Sequence, residues 1–246
     1  MKKYTEEYRI ELNDCNENER LKIPTMIDLM MQVSEHQLEK GGAGTEDLIK
    51  RGLGWVVTQY HFDIKKMPAA GDLVKVSTIA SGYNKFFEYR DFFIEDEAGN
   101  RIVDVKSQWV MFDLKKRKLV PCDVELVQKF NVPELKKMPR FPKLRPQDSY
   151  SAERQYRVRF DDLDTNHHLT NSHYFNWFID MLDRDFLKDH VVKTIDIKFN
   201  KEVQYGQMPY SCLDLIKNDD KIISYHAIKD LDKKDQTICE LEWRRI

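Results

Sequence analysis

Apolar and polar residues alternate along Trp55–Ile64, Asp72–Ile79, Phe86–Asp96 and Arg101–Phe112. That period of two predicts four half-buried strands. Glu97-Ala98-Gly99-Asn100 supplies turn chemistry between the last two. Ahead of them Met26, Ile27, Met30 and Val33 recur at helical spacing, and Pro24 stands where a first helical turn tolerates it. The same order returns later. Tyr156, Val158 and Phe160 alternate with Arg157, Arg159 and Asp161. A polar loop follows, and then Tyr174, Phe175, Phe178, Met181, Leu182 and Phe186 at helical spacing, with Ser172 placed to cap them.

The recurrence is also visible residue by residue. Tyr8 to Leu21 aligns without a gap on Tyr156 to Leu169, an offset of 156 − 8 = 148. Tyr8/Tyr156, Arg9/Arg157, Asp14/Asp162, Asn18/Asn166 and Leu21/Leu169 are identical, where chance supplies roughly one identity. Phe62 to Asp72 aligns on Ile197 to Gln207 with an offset of 197 − 62 = 135. The second copy is therefore 148 − 135 = 13 residues shorter between its helix and its next strand. A third match sets Val105, Ser107 and Trp109 against Cys239, Leu241 and Trp243. One helix followed by an antiparallel meander is the pattern of a hot-dog unit, in which the sheet wraps the helix. The expected fold class is α+β, a tandem (double) hot-dog whose two units form a pseudo-dimer. We place the N-terminal unit at 1–118, a linker at 119–152 and the C-terminal unit at 153–246. The linker holds five of the eight prolines, Pro121, Pro133, Pro139, Pro142 and Pro146, which predicts irregular, semi-extended chain.

Composition narrows the function classes. Of 246 residues 33% are charged, yet the net charge is only −2. Nucleic acid is not the expected partner, since such proteins carry a basic excess. No stretch reaches membrane-span length, and the start carries no apolar run behind its two lysines, so neither a span nor a secretory signal is expected. Cys15, Cys122, Cys212 and Cys239 form no CxxC pair, which reads as reduced thiols. Neither a metal nor a cofactor is expected.

The chemistry concentrates before the second helix. Asp164, Asn166 and His168 alternate, so an extended loop presents a carboxylate, an amide and an imidazole on one side. The helix start adds unpaired N–H groups suited to an oxyanion. The repeat tests this set internally. The first copy has Asn16, Asn18 and Arg20 at the matching positions, and Met67 where the second has Glu202. One copy is equipped and the other stripped, so copy two is expected to do chemistry and copy one to shape a binding site. Plainer roles stand beside this reading. Asp162 recurs as Asp14 and suits a turn or cap. His167 points away from His168. The acidic run beside the two histidines lacks the further ligands of a metal site. The methionine and aromatic stripes suit core packing, or alternatively an acyl tunnel beside the first helix.

At these residues the chain resembles the acyl–acyl carrier protein thioesterases of plant plastids and their bacterial relatives. FDDLDTNHHLTNSHYFNWFID is similar to the family's signature, and FNKEVQYG to the block bearing its catalytic Glu. GLGWVVTQYHFDIKKMPAAGD and SQWVMFDL also resemble family segments. The resemblance implies a thioester hydrolase acting on fatty acyl chains carried by acyl carrier protein. It implies Asp164, Asn166, His168 and Glu202 as catalytic, with Glu202 or His168 as general base, Glu202 favoured. Val203 stands where plant members have a Cys once proposed as nucleophile, so activated water is the expected attacking group. Met26, Met30 and Trp55 are the expected substrate-binding residues of the first unit. No plastid transit region is seen, which points to a bacterial, cytoplasmic form, a monomer or homodimer. An acyl-CoA thioesterase on the same fold and a non-catalytic acyl sensor are the alternatives. Scattered basic residues, Arg157, Arg159, Lys198 and Lys201, suit either carrier protein or CoA phosphates.

Overall fold

The computed structural model describes residues 2–165, 167–218 and 221–246. In the N-terminal unit β1 (Tyr4–Arg9) leads to α1 (Ile23–Lys40), α2 (Thr45–Lys50), β2 (Leu53–Ile64), β3 (Leu73–Tyr83), β4 (Phe87–Glu95), β5 (Arg101–Asp113), β6 (Lys118–Val120) and α3 (Val124–Gln128). The C-terminal unit has β7 (Ala152–Gln155), α4 (His173–Asp180), α5 (Arg184–Asp189), β8 (His190–Phe199), β9 (Tyr210–Lys217), β10 (Ile222–Lys229) and β11 (Asp235–Arg245). The described strands form one antiparallel sheet in the order β1-β3-β4-β5-β2-β8-β11-β10-β9-β7, with β6 on β5. This is the expected tandem hot-dog.

The sheet register carries the duplication into three dimensions. Strand β2 meets β8 with Tyr60 opposite Ile197, His61 opposite Asp196 and Phe62 opposite Ile195. Under the offset of 135 Tyr60 faces the repeat mate of Phe62, Phe62 faces that of Tyr60, and His61 faces its own. A pseudo-two-fold axis therefore passes between His61 and Asp196, whose Nδ1 and Oδ1 lie 2.7 Å apart. The bulges agree too. Thr58 is skipped where β2 pairs with β5, and Lys193, its mate at 58 + 135, is skipped where β8 pairs with β11. Two independent folds would not share a bulge position by accident, since a bulge is a designed break in the ladder.

The main core cluster joins both long helices to the sheet. Met26, Ile27 and Met30 of α1 and Phe175 and Phe178 of α4 are at most 0% exposed and join one cluster with Phe62, Val76, Ile195 and Leu241. Full burial of each such side chain contributes about 1.5–3 kcal/mol. Helix α1 starts with Pro24 in its first turn, where the missing N–H costs nothing.

Four details differ from the pattern-based expectation. Phe160 does not face inward with Val158: it begins a 3₁₀ turn, Phe160–Asp162, and is 79% exposed. Its repeat mate Leu12 does the same. Period-two reasoning fails there because the strand has already ended. Ser172 precedes α4 but its hydroxyl makes no cap bond; it is hydrogen-bonded to Asp28. The second apolar stripe is broken into α4 and α5, because a chain 13 residues shorter must turn back to β8 sooner. Lastly, segment 119–152 is not all linker. Leu126, Val127, Phe130 and Val132 pack with Tyr83 and Met111 of the first unit, while Phe141 stacks on Tyr89 and Leu144 and Tyr150 lie against Cys212, Ala227 and Ile238.

Candidate active site

The loop before α4 is a tight hairpin. Leu163 bridges Leu169, the Asp164 N–H donates to the His168 carbonyl at 2.8 Å, and the His167 N–H donates to the Asp164 carbonyl at 3.0 Å. His167 takes the left-handed turn position, φ 65°, which is why its exposed side chain parts company with that of His168. The Asp164 Oδ1 accepts the His168 N–H at 3.0 Å. Copy one repeats each feature: Cys15 bridges Leu21, Glu19 has φ 55°, and Asn16 Oδ1 accepts the Arg20 N–H at 3.2 Å. Part of the Asp164 carboxylate is thus turn chemistry that an amide can also perform. Asn166, the fourth expected member, lies outside the described residues.

The hairpin brings His168 to Glu202. His168 bridges Gln204, just as Arg20 bridges Ala69, and the Leu169 N–H donates to the Val203 carbonyl at 3.0 Å. The His168 Nε2 then stands 3.1 Å from Glu202 Oε2, with side chains 14% and 22% exposed. Sequence blocks 34 positions apart (202 − 168) meet as one charge-assisted pair. A second donor, the Arg117 guanidinium, holds the same oxygen: its Nη2 donates to Glu202 Oε2. The hydrogen bond from His168, reinforced by the Arg117 charge, keeps the Glu202 carboxyl below its ordinary range against the opposing effect of burial.

Arg117 belongs to the other unit. It sits in the turn between β5 and β6 with φ 49°, beside exposed Lys115, Lys116 and Lys118. No repeat or motif singled it out. The basic run Lys115-Lys116-Arg117-Lys118 was the available signal, and it reads equally as a solvated turn.

A cavity of about 360 Å³ runs from the hairpin into the first unit. Asp164, Thr170 and Asn171 line one end, and Met31, Leu38, Leu48, Trp55 and Trp109 line the remainder. Trp55 therefore lies where a substrate-binding residue of unit one was expected. Met26 and Met30 do not line it; they face the sheet in the core, and Met31 is the methionine turned to the cavity. Buried Tyr60 donates to Met31 Sδ at 3.5 Å and is hydrogen-bonded to Asn171. Burial pushes its phenol well above the usual range, so it stays a neutral hydrogen-bonding group.

The thiols are not placed for nucleophilic chemistry. Cys15, Cys122, Cys212 and Cys239 are buried and unpaired as thiols. Burial pushes Cys122 up to about 11 and Cys239 well above its ordinary value, the opposite of what a thiolate nucleophile needs. Val203, beside Glu202, is fully buried. Among the described residues no three His, Cys, Asp or Glu side chains converge as a metal site. Asp162 is turned instead to the Arg159 guanidinium, at 2.7 Å, and its Oδ2 accepts the Arg159 N–H at 2.8 Å. That is the turn role its recurrence as Asp14 suggested.

Comparison with known proteins agrees with this architecture. Sequence profiles of the acyl-ACP thioesterase N-terminal and C-terminal domains match residues 1–130 and 146–245. A crystal structure described as an oleoyl thioesterase of Lactobacillus plantarum superposes with a TM-score of 0.94 at 33% identity, covering 100% of this chain and 97% of that one. The 12:0-ACP thioesterase of Umbellularia californica has the same fold, TM-score 0.87 at 17% identity, over 99% and 94% of the two chains. A chloroplastic acyl-[acyl-carrier-protein] hydrolase of Cuphea viscosissima is 24% identical over 237 residues, 90% of this chain and 58% of its own length. This chain thus spans under two thirds of that curated plant relative. With both domain profiles matched in order across most of its length, this chain belongs to the acyl-ACP thioesterase family.

Proposed function

We propose that the protein hydrolyses the thioester of fatty acyl chains carried by acyl carrier protein, releasing the free fatty acid through an activated water. The observation that carries this reading is the His168–Glu202 pair, present only in the copy whose hairpin closes the cavity beside α1. The acyl chain would lie among Met31, Leu38 and Trp55, with the thioester at the Asp164 end. Apolar contact there contributes about 0.8 kcal/mol per buried methylene.

The geometry also redistributes the roles within the site. A carboxylate that accepts from an imidazole N–H and from a guanidinium is a poor proton acceptor, because its conjugate acid is too strong. Glu202 therefore orients and polarises His168, and the imidazole rather than Glu202 takes the proton from water. Asp164 fixes the hairpin and faces the cavity. Asn166 and the N–H groups at the start of α4 remain the proposed holders of the thioester oxygen. The exposed basic turn 115–118 lies beside the site through Arg117, where an acidic carrier protein or a phosphopantetheine phosphate would approach.

Released fatty acid from matched acyl-ACP and acyl-CoA substrates is the direct test. Hydrolysis of acyl-ACP at the higher kcat/KM, lost in His168→Ala, supports the proposal. Preference for the CoA ester replaces the carrier, and tight acyl binding without hydrolysis of either would reduce the protein to a sensor.

A further inference from the structure

The pseudo-two-fold axis generates a second cavity. At about 510 Å³ it is larger than the catalytic one, and it lies where the hairpin of copy one meets α4 and β8 of copy two. Its lining is the repeat image of the first: Asn16 for Asp164, Ile179 for Met31, His190 for Trp55 and Trp243 for Trp109. What differs is the chemistry at the hairpin. Arg20 replaces His168 and Met67 replaces Glu202, and both line the cavity. An imidazole–carboxylate pair has become a lone guanidinium over a thioether. The hydrolytic groups are gone, and so is the carboxylate that would repel an anion.

The remaining charges at this cavity are mostly spoken for. Glu17 accepts from Arg184 Nε at 2.9 Å and lies 3.5 Å from Lys188. Lys22 donates to the Asn13 carbonyl at 2.8 Å, and Asp180 accepts from Arg154 and Tyr156. Arg20 differs: its Nη1 is buried without a hydrogen-bond partner among the described residues. A buried donor left unpaired, and charged, is costly unless something occupies it. Beyond it the walls are apolar, formed by Phe175, Ile179, Leu182, Val192 and Trp243. The volume falls within the range of small-molecule sites.

We propose that this cavity is a second, non-catalytic site for a single-chain fatty acid, its carboxylate on Arg20 and its chain along α4. A guanidinium matches a carboxylate in a planar fork, and the apolar walls exclude small inorganic anions as the best occupant. The cavity has no counterpart of the His168–Glu202 pair, and its guanidinium suits a carboxylate rather than a neutral thioester.

Equilibrium titration of the full chain with dodecanoate, followed by calorimetry and by tryptophan emission, tests the assignment. Wild type should show two binding sites, and methyl dodecanoate should lose one of them. Arg20→Gln should weaken one class at least about tenfold, the loss expected for one charge-assisted hydrogen bond, while Arg20→Lys retains an intermediate affinity. Ile179→Trp, which fills the cavity without touching Arg20, should remove the same class. Melting curves of each variant establish that it is folded. Dodecanoate binding that Arg20→Gln and Ile179→Trp both leave unchanged, or equal binding of acid and methyl ester in every class, overturns the proposal. No turnover enters the measurement, so its failure and failure of the hydrolysis reading are separable.

Discussion

Replacing Glu202 by Gln keeps shape and removes charge, and, set beside a change at Arg117, it distinguishes the two donors that share Oε2. The His168 side is the sheltered one, with side chains 14% and 22% exposed at 3.1 Å. Hydrogen bonds to charged groups contribute about 1.5–3 kcal/mol, which is roughly 10- to 150-fold in rate if it is all expressed in the transition state. Loss of the imidazole's orientation adds to that, since positioned acid–base catalysis is worth about 10²–10⁴-fold. We expect Glu202→Gln to lower kcat by about 10²–10⁴-fold. Arg117 is 52% exposed, and a solvent-screened ion pair contributes about 0–1 kcal/mol. Arg117→Met should therefore lower kcat about fivefold or less, and its larger effect should fall on KM if the basic turn meets the carrier.

Initial rates at saturating acyl-ACP, with melting curves to verify folding, give both numbers from two variants of one contact. If Glu202→Gln kept kcat within about threefold of wild type, the carboxylate would have no part in orienting His168. If Arg117→Met were as damaging as Glu202→Gln, the guanidinium rather than the imidazole would be the partner that matters. Either outcome removes the division of roles drawn from the geometry.

Further expectations concern pH, sulfur and chain length. The folded-state pKa of Glu202 is lowered, so its contribution to stability is complete above its unfolded value, near 4.5, and is lost as pH falls through the lower folded value. The stability gap between wild type and Glu202→Gln should thus be flat above about pH 5 and close on acidification; a gap that widens as pH falls reverses the sign. Thiol alkylation of the native enzyme should leave turnover intact, because all four thiols are buried, and a trapped acyl-cysteine would contradict the water mechanism. Met31→Trp should shift preference toward shorter acyl chains by filling the cavity. Met30→Ala should instead cost about 2–5 kcal/mol of stability with an unchanged profile across C8 to C18. A profile that moves with Met30 and ignores Met31 would place the chain on the other side of α1.

Much of this was legible in the sequence because the repeat supplied its own control. Two offsets, 148 and 135, located the hairpin, the helix and the strand after it. The sheet register and the matched bulges at Thr58 and Lys193 follow the same numbering. The His168–Glu202 pair was legible as a difference between copies, Arg20 and Met67 being its stripped counterparts. Arg117 was not, because its contact spans 85 positions and its turn has no mate in the repeat. The choice between Met30 and Met31 was hidden for another reason. Helix α1 turns Met30 into the core and Met31, among Gln32, Ser34, Glu35 and Leu38, to the cavity, and a period of 3.6 identifies the core stripe without marking an adjacent methionine as cavity-lining.

The pairing of β2 with β8 has a consequence for how the two copies divide their work. Because the axis runs between the units, each cavity takes its hairpin from one copy and its helix from the other. The catalytic cavity joins Asp164, Thr170 and Asn171 of copy two to Met31, Leu38 and Trp55 of copy one. The second cavity joins Asn16 and Arg20 of copy one to Ile179 and Leu182 of copy two. On the proposed function, the lack of a His168–Glu202 counterpart in copy one concerns only the cavity along α4, while α1 lines the cavity proposed to receive the acyl chain. Changes on α1 can retune that length without touching the hairpin that does the chemistry, and changes at Arg20 can alter the second cavity without touching either. A fold with one cavity per unit would tie specificity and chemistry to the same short stretch of chain. Here they sit on different copies and can vary separately.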